Sequence, residues 1–253
     1  MAEREESFVG ATNGPRRFFA RAEVIAEPGG GYSLRLDGRP IFSPSRNPLV
    51  TPSRALAEAI AQEWEGQGAA IDWSRLALTR LAFTALDRIA PDPAAAAEDL
   101  IRYARSDLLA CLASEPPSLL ARQKAEFAPI ISWAQESLGA SFACSEGLAA
   151  PVQNPDTLAA IRSRATEAGA FALAGLAFAA ALFGSAILGL AVAAGRLGAL
   201  EALRLSRLEE RFQQERWGET SESQSRRRSL ETDAELVEAW FRALGIAVGG
   251  EPP

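Results

Sequence analysis

Between Glu167 and Arg196 the chain runs for 28 residues without a formal charge, and any fold it adopts has to keep that stretch away from water. On length alone the run is enough to cross a bilayer. Its make-up pulls the other way, because twelve of the 28 residues are alanine and five are glycine, at 169, 175, 184, 189 and 195. Gly184-Ser185 near the middle predicts a break into two helices. The flanking Arg162, Arg164, Arg196 and Arg204 show no one-sided excess that would orient a span. Small residues also let helices pack closely, and a helix that is apolar all round is simply buried in a soluble core. Two readings therefore stand at this point, a packed soluble core and a small integral membrane protein using residues 168–195 as its span.

The rest of the composition narrows what the chain can do. With 253 residues, 48% of them hydrophobic, it can bury a sizeable core in one large domain or two unequal ones. A formal charge of −6 and a pI near 5.0 give no general attraction to phosphate backbones or anionic lipid. The cluster Arg226-Arg227-Arg228 sits between Glu222 and Glu231, which reads as a solvated helix face, so no nucleic-acid partner is expected. Histidine is absent. That removes the usual general base, any Ser-His or Cys-His pairing and the commonest transition-metal ligand. A carboxylate pair such as Glu209 and Glu210 remains, but adjacent helix positions diverge by about 100° and cannot flank one substrate atom symmetrically. Catalysis by a lysine stays open, and a metal site is not expected. Cys111 and Cys144, far apart in sequence, read as small buried residues rather than a zinc or redox site.

The opening Met-Ala-Glu-Arg-Glu-Glu is acidic and lacks the features of a secretory or transit leader. With Lys124 as the single lysine and abundant alanine, the expectation is a bacterial, cytoplasmic protein.

Along the chain, residues 1–15 read as a mobile segment, 16–51 as a small β-domain and 52–253 as an α-helical domain. Phe18 to Ala26 and Tyr32 to Leu36 predict two strands joined across Gly29-Gly30-Gly31. Asp37-Gly38 supplies the positive φ angles of a tight turn before a third strand from Arg39 to Phe42. Thr51-Pro52 suits a helix N-cap with proline in the first helical position. Leu56, Ile60 and Trp64 then recur at helical spacing, as do Leu78, Leu81, Ala82, Ala85 and Ile89. Further helices are expected over Ala94 to Leu112, Pro117 to Leu138, Asn154 to Glu167, the apolar run, Gly198 to Trp217 and Glu219 to Leu244. The fold class is α+β, a small N-terminal antiparallel β-domain followed by a larger multihelical domain.

The segment from Ser206 to Gly218 is the best-marked surface. At about 100° per residue, Leu205, Leu208 and Phe212 form one apolar stripe that should face the core, while Glu209, Gln213 and Trp217 follow one another along its side. A carboxylate, an amide and an indole in one row suit recognition of a partner protein, since tryptophan is enriched at interface hot spots. The competing reading has Glu209 and Gln213 solvated and Trp217 buried beside a Gly218 cap.

Several short motifs occur in order: Leu36-Asp37-Gly38-Arg39-Pro40, Asn47-Pro48-Leu49, Glu63-Trp64 with Gln67 and Ile71, Leu78-Thr79-Arg80-Leu81, Thr84-Ala85 with Asp87, Tyr103 with Asp107-Leu108-Leu109, and Pro129 with Trp133. They end on Ser206-Arg207-Leu208-Glu209-Glu210, Gln213 and Trp217-Gly218. In their order and spacing the chain resembles the assembly chaperones that bind the alpha subunit of the catalytic head of F-type ATP synthase, in mitochondria and alphaproteobacteria. Phe83, Phe127 and the apolar Ala177 to Phe183 depart from that pattern. The resemblance implies a chaperone that covers the subunit interface of a free alpha subunit until assembly, without cofactor or catalysis, and monomeric when free. It assigns partner binding to Ser206, Glu209, Glu210, Gln213 and Trp217, with Glu209 the preferred acid because its row holds Gln213 and Trp217. Trp64 is then structural, anchoring the first helix near the sheet.

Overall fold

The computed structural model describes residues 14–218 and 220–246; most of the expected mobile segment, residues 1–13, lies outside them. Strands β1 (Ala22–Ala26) and β2 (Tyr32–Leu36) pair antiparallel, Ala26 opposite Tyr32 and Ala22 opposite Leu36. The tight turn is where the sequence puts it, with Asp37 at φ 48° and Gly38 at φ 78°. The Asp37 carboxylate accepts hydrogen bonds from the Arg21 and Ala20 amides, which hold its pKa below the usual carboxylate range and tie the chain ahead of β1 to the turn. Strands β3 (Arg39–Pro40) and β4 (Val50–Thr51) each pair antiparallel with β2. The sheet buries Leu34 and Leu36 against the helices.

Helix α1 (Arg54–Glu65) starts two residues later than Thr51-Pro52 suggests. Its N-cap is Ser53, whose hydroxyl accepts from the Leu56 amide at 3.1 Å, while Thr51 is the buried end of β4 and donates to the Tyr32 and Ser53 carbonyls. Sheet pairing thus outcompetes a local cap there. Leu56, Ile60 and Trp64 are buried as the periodicity requires. Helix α2 (Ala77–Thr84) continues through one π-helical turn at Ala85–Ile89, which keeps Leu78, Leu81, Ala82, Ala85 and Ile89 all on the buried side.

Helix α3 (Pro93–Arg105) is shorter than its apolar pattern. Asp107 ends the helical run by capping a 3-10 turn at Leu108–Ala110, and Cys111–Leu112 becomes strand β5. After α4 (Pro117–Leu138), β5 pairs in parallel with β6 (Ser145–Glu146). This two-stranded sheet lies at the surface, so the cysteines are not the buried residues expected: Cys111 is half-buried, Cys144 is exposed, and both are free thiols.

The uncharged run forms the centre of the helical part. It splits at Gly184-Ser185 into α6 (Gly169–Phe183) and α7 (Ala186–Ala193), following α5 (Pro155–Glu167). Gly184 takes the left-handed φ of 65°, and Ser185 caps α7 by accepting from the Leu188 amide at 3.0 Å. Fifteen and eight residues span about 22 and 12 Å, well short of a ~30 Å hydrocarbon core. Among the described residues no helix is long and apolar enough to cross a membrane, which overturns the reading of residues 168–195 as a span. The run is apolar because it is enclosed by α3, α5 and the long C-terminal helix α10 (Ser221–Ala243). At Gly175 a Cβ would fall 2.6 Å from the Trp240 ring, so glycine is what lets α10 nest against α6. Trp240 also stacks on Phe171 at 5.9 Å and donates its indole N–H to the Phe171 carbonyl.

Many of the ordered motif residues turn out to be hydrogen-bond clamps. Glu63 accepts from the Leu78 and Thr79 amides and the Thr79 hydroxyl, capping α2, whose own N-cap position Leu76 has no side-chain bond to offer. Asp87 accepts from Ser43, the Ser45 amide and Asn47, fastening the loop after β3 to the helices. Asp107, fully buried, accepts from Ser185 Oγ at 2.6 Å and from the Ile187 and Leu109 amides at 3.0 Å.

Candidate protein-binding site

The expected helix from Gly198 to Trp217 is two helices, α8 (Ala199–Ser206) and α9 (Leu208–Trp217), broken at Arg207. At the break the Ser206 hydroxyl donates to the Leu203 carbonyl at 2.9 Å, the kind of back-bonding found where helices bend. Ser206 is therefore only 6% exposed and faces the fold, unlike the other residues proposed with it. Arg207 fills the break, bonding the Leu182 carbonyl and Glu210.

The apolar stripe faces inward as its spacing predicts. Leu205 and Leu208 are buried, and Phe212 is half-buried against the core. On α4, Arg122 makes a two-pronged contact with Glu215 at 2.8 and 3.0 Å. Arg216 lies over the Phe212 ring at 4.1 Å and reaches the Ser118 hydroxyl. Glu126 receives Arg122 and Arg204 together, and Glu201 pairs with Arg204. The result is a five-member ion network across α4, α8 and α9. Burial pushes the Glu126 carboxyl up, but the hydrogen bonds from Arg204 and Arg122 bring it below the ordinary glutamate value; Arg204 is held charged by Glu201 and Glu126. This network is invisible in sequence, because its members come from three separated segments.

On the outward side Glu209, Glu210 and Gln213 are exposed, and Trp217 is 78% exposed. The alternative of Trp217 as a buried aromatic fails. Opposite this face, α10 leaves a cleft of about 1110 Å³. Glu210, Gln213 and Trp217 line it and Glu209 does not. The reason is angular: at about 100° per residue, Glu210 sits about 20° from Trp217 seven positions on, whereas Glu209 sits about 80° away. The basic cluster, read as a solvated face, is partly the far wall, since Arg226 and Arg227 line the cleft with Leu230. Among the described residues no group of three or more acidic, cysteine or histidine side chains could hold a metal ion, and Gly29-Gly30-Gly31 is the hairpin loop between β1 and β2.

The chain matches the family model of the ATP12 chaperone protein over residues 16–135. It is similar to the crystal structure of Atp12 from Paracoccus denitrificans, with 35% identity, a TM-score of 0.83 and coverage of 92% of this chain and 98% of that one. It is also similar to the Atu1473 protein of Agrobacterium tumefaciens, at 37% identity and a TM-score of 0.86, covering 91% of this chain and 86% of the other.

Proposed function

Because the chain belongs to the ATP12 chaperone family, we propose that it serves ATP synthase assembly by holding the free alpha subunit of the catalytic head on the outward face of α9. The family is one of chaperones, not of enzymes, and the absence of histidine fits that role. The observation that carries the reading is the exposure of Trp217, 78% open to solvent, beside Gln213 and two glutamates on a helix whose other side is pinned by an ion network. An unassembled subunit exposes the surface it later buries, and such surfaces aggregate. A rigid helix presenting an indole and hydrogen-bonding groups would cover that surface until the proper neighbour displaces it by mass action. Glu209, Glu210, Gln213 and Trp217 are the proposed contacts, with Glu210 better placed than Glu209 to act with Trp217. Ser206 contributes by setting the bend. The site of action is the bacterial cytoplasm, and the free chaperone is a monomer.

The test is light scattering of purified alpha subunit warmed with and without the chaperone. Suppression of aggregation near equimolar ratio is expected. Undiminished scattering together with no isolable complex would contradict the proposal.

A further inference from the structure

Helix α9 is attached to the rest of the fold unevenly. Its first residue, Leu208, is buried, and Phe212 about one turn on is half-buried, but Glu215, Arg216 and Trp217 in the last turn are exposed. That end is fixed by polar contacts instead. The Arg122 guanidinium of α4 grips the Glu215 carboxylate at 2.8 and 3.0 Å, and Arg216 reaches the Ser118 hydroxyl at 3.2 Å. Arg122 is steadied from behind by Glu126, which also receives Arg204 of α8. Among the described residues Glu215 is the one member of this network that α9 supplies. Its side chain is 53% exposed, and ion pairs so open to water hold weakly and are screened by salt.

Both ends of α9 are breaks in the helical backbone. Arg207 has φ −108° and ψ 21°. Gly218 has φ 86° and ψ 170°, a combination essentially confined to glycine, although a Cβ there would meet nothing. The side of α9 away from α4 faces the cleft toward α10, which Trp217 lines. Trp217 lies two positions and about 200° round the helix from Glu215, so the latched and open sides are opposite. We infer that α9 is a hinged strap and that the Arg122–Glu215 pair is its latch. Opening the latch lets the Trp217 end swing about Arg207 and Gly218 into the cleft. Hinges sit at element ends that absorb backbone rotation, and segments with few buried apolar contacts open most readily. Arg122 is thereby a positioning residue for Trp217: the closed latch holds the indole out to solvent, and the open one turns it toward α10. The switch belongs to the free protein and goes beyond the function proposed above.

The test is pulsed electron paramagnetic resonance between spin labels at Gln213→Cys and Arg228→Cys, one on each side of the cleft, with the free thiols removed as Cys111→Ser and Cys144→Ser. At low salt one main distance is expected. A shorter distance should at least about double in population near 1 M salt, where the screening length falls to about 3 Å. Glu215→Gln and Arg122→Gln should each favour the shorter distance at low salt and no longer respond to added salt, and the double variant should go no further than either single change. Glu58→Gln, which removes the exposed Arg54–Glu58 pair of α1, should behave as the parent. Distances that stay unchanged or lengthen with salt, that are indifferent to both latch variants, or that shift as much in Glu58→Gln overturn the latch. The salt series needs no latch variant to fold, and no arm of the test needs a client.

Discussion

Trp64 and Thr79 meet inside the core, the indole N–H donating to the threonine hydroxyl at 3.1 Å, while Glu63 next door accepts from the same hydroxyl and from the first amides of α2. Trp64 also meets Phe19 and Trp73 edge-to-face at 5.8 and 6.1 Å. One dipeptide on α1 thereby holds the N-terminal segment, the start of α2 and the sheet side of the core. Trp64→Ala should lower the unfolding free energy by about 3–5 kcal/mol, as aromatic truncations in cores do. Trp64→Phe should cost less, and a denaturant midpoint unchanged by Trp64→Ala would contradict the assignment.

Gly175 gives a second stability test. A methyl there would meet the rings of Trp240 and Phe241 at under 3 Å, and both rings are fully buried. Gly175→Ala, which by helix propensity alone should stabilise α6 by about 1 kcal/mol, is expected instead to destabilise by about 1–3 kcal/mol through overpacking. Thermal melts of the two proteins decide the sign.

Asp107 links stability to pH. Burial raises its pKa to about 6, against the hydrogen bonds from Ser185 and the amides that favour the anion. For an acid whose folded pKa lies above its unfolded value near 3.9, the folded state binds the proton more tightly. The stability it contributes is present at low pH, is lost as pH rises from about 4 to 6, and is flat above that. In Asp107→Asn this dependence disappears. The stability of wild type relative to the variant should therefore be greater at pH 4.5 than at pH 7, by on the order of 1–2 kcal/mol. Urea midpoints at the two pH values measure it, and a difference of opposite sign contradicts the account.

The α9 face predicts a separation of folding from binding. Trp217→Ala and Glu210→Lys, on exposed side chains, should leave the melting temperature within about 1–2 °C while weakening capture of the alpha subunit by an order of magnitude or more, typical of hot-spot residues. Leu208→Ala, by contrast, removes a buried anchor and should reduce stability and capture together.

Periodicity made most of this fold readable in advance. The hairpin, its Asp37-Gly38 turn, the break at Gly184-Ser185 and the inward stripe Leu205-Leu208-Phe212 all follow from local rules that the tertiary structure leaves in place. Two of the differences share a cause, a side chain answering to a distant partner: Thr51 is drawn into the sheet beside Tyr32, and Asp107 turns out of α3 to accept from the Ile187 amide of α7. The third is local, with Ser206 bonding the Leu203 carbonyl of its own helix at the break. The exposure of Trp217 depends on the gap between α9 and α10 and does not follow from spacing along one helix.

The most direct measurement is equilibrium binding of purified free alpha subunit to this protein, followed by addition of the beta subunit. The account predicts a complex that Trp217→Ala weakens and that the beta subunit dissolves as it takes over the covered surface. An alpha subunit that binds neither wild type nor variant, or a complex that persists unchanged when the beta subunit is in excess, would contradict it.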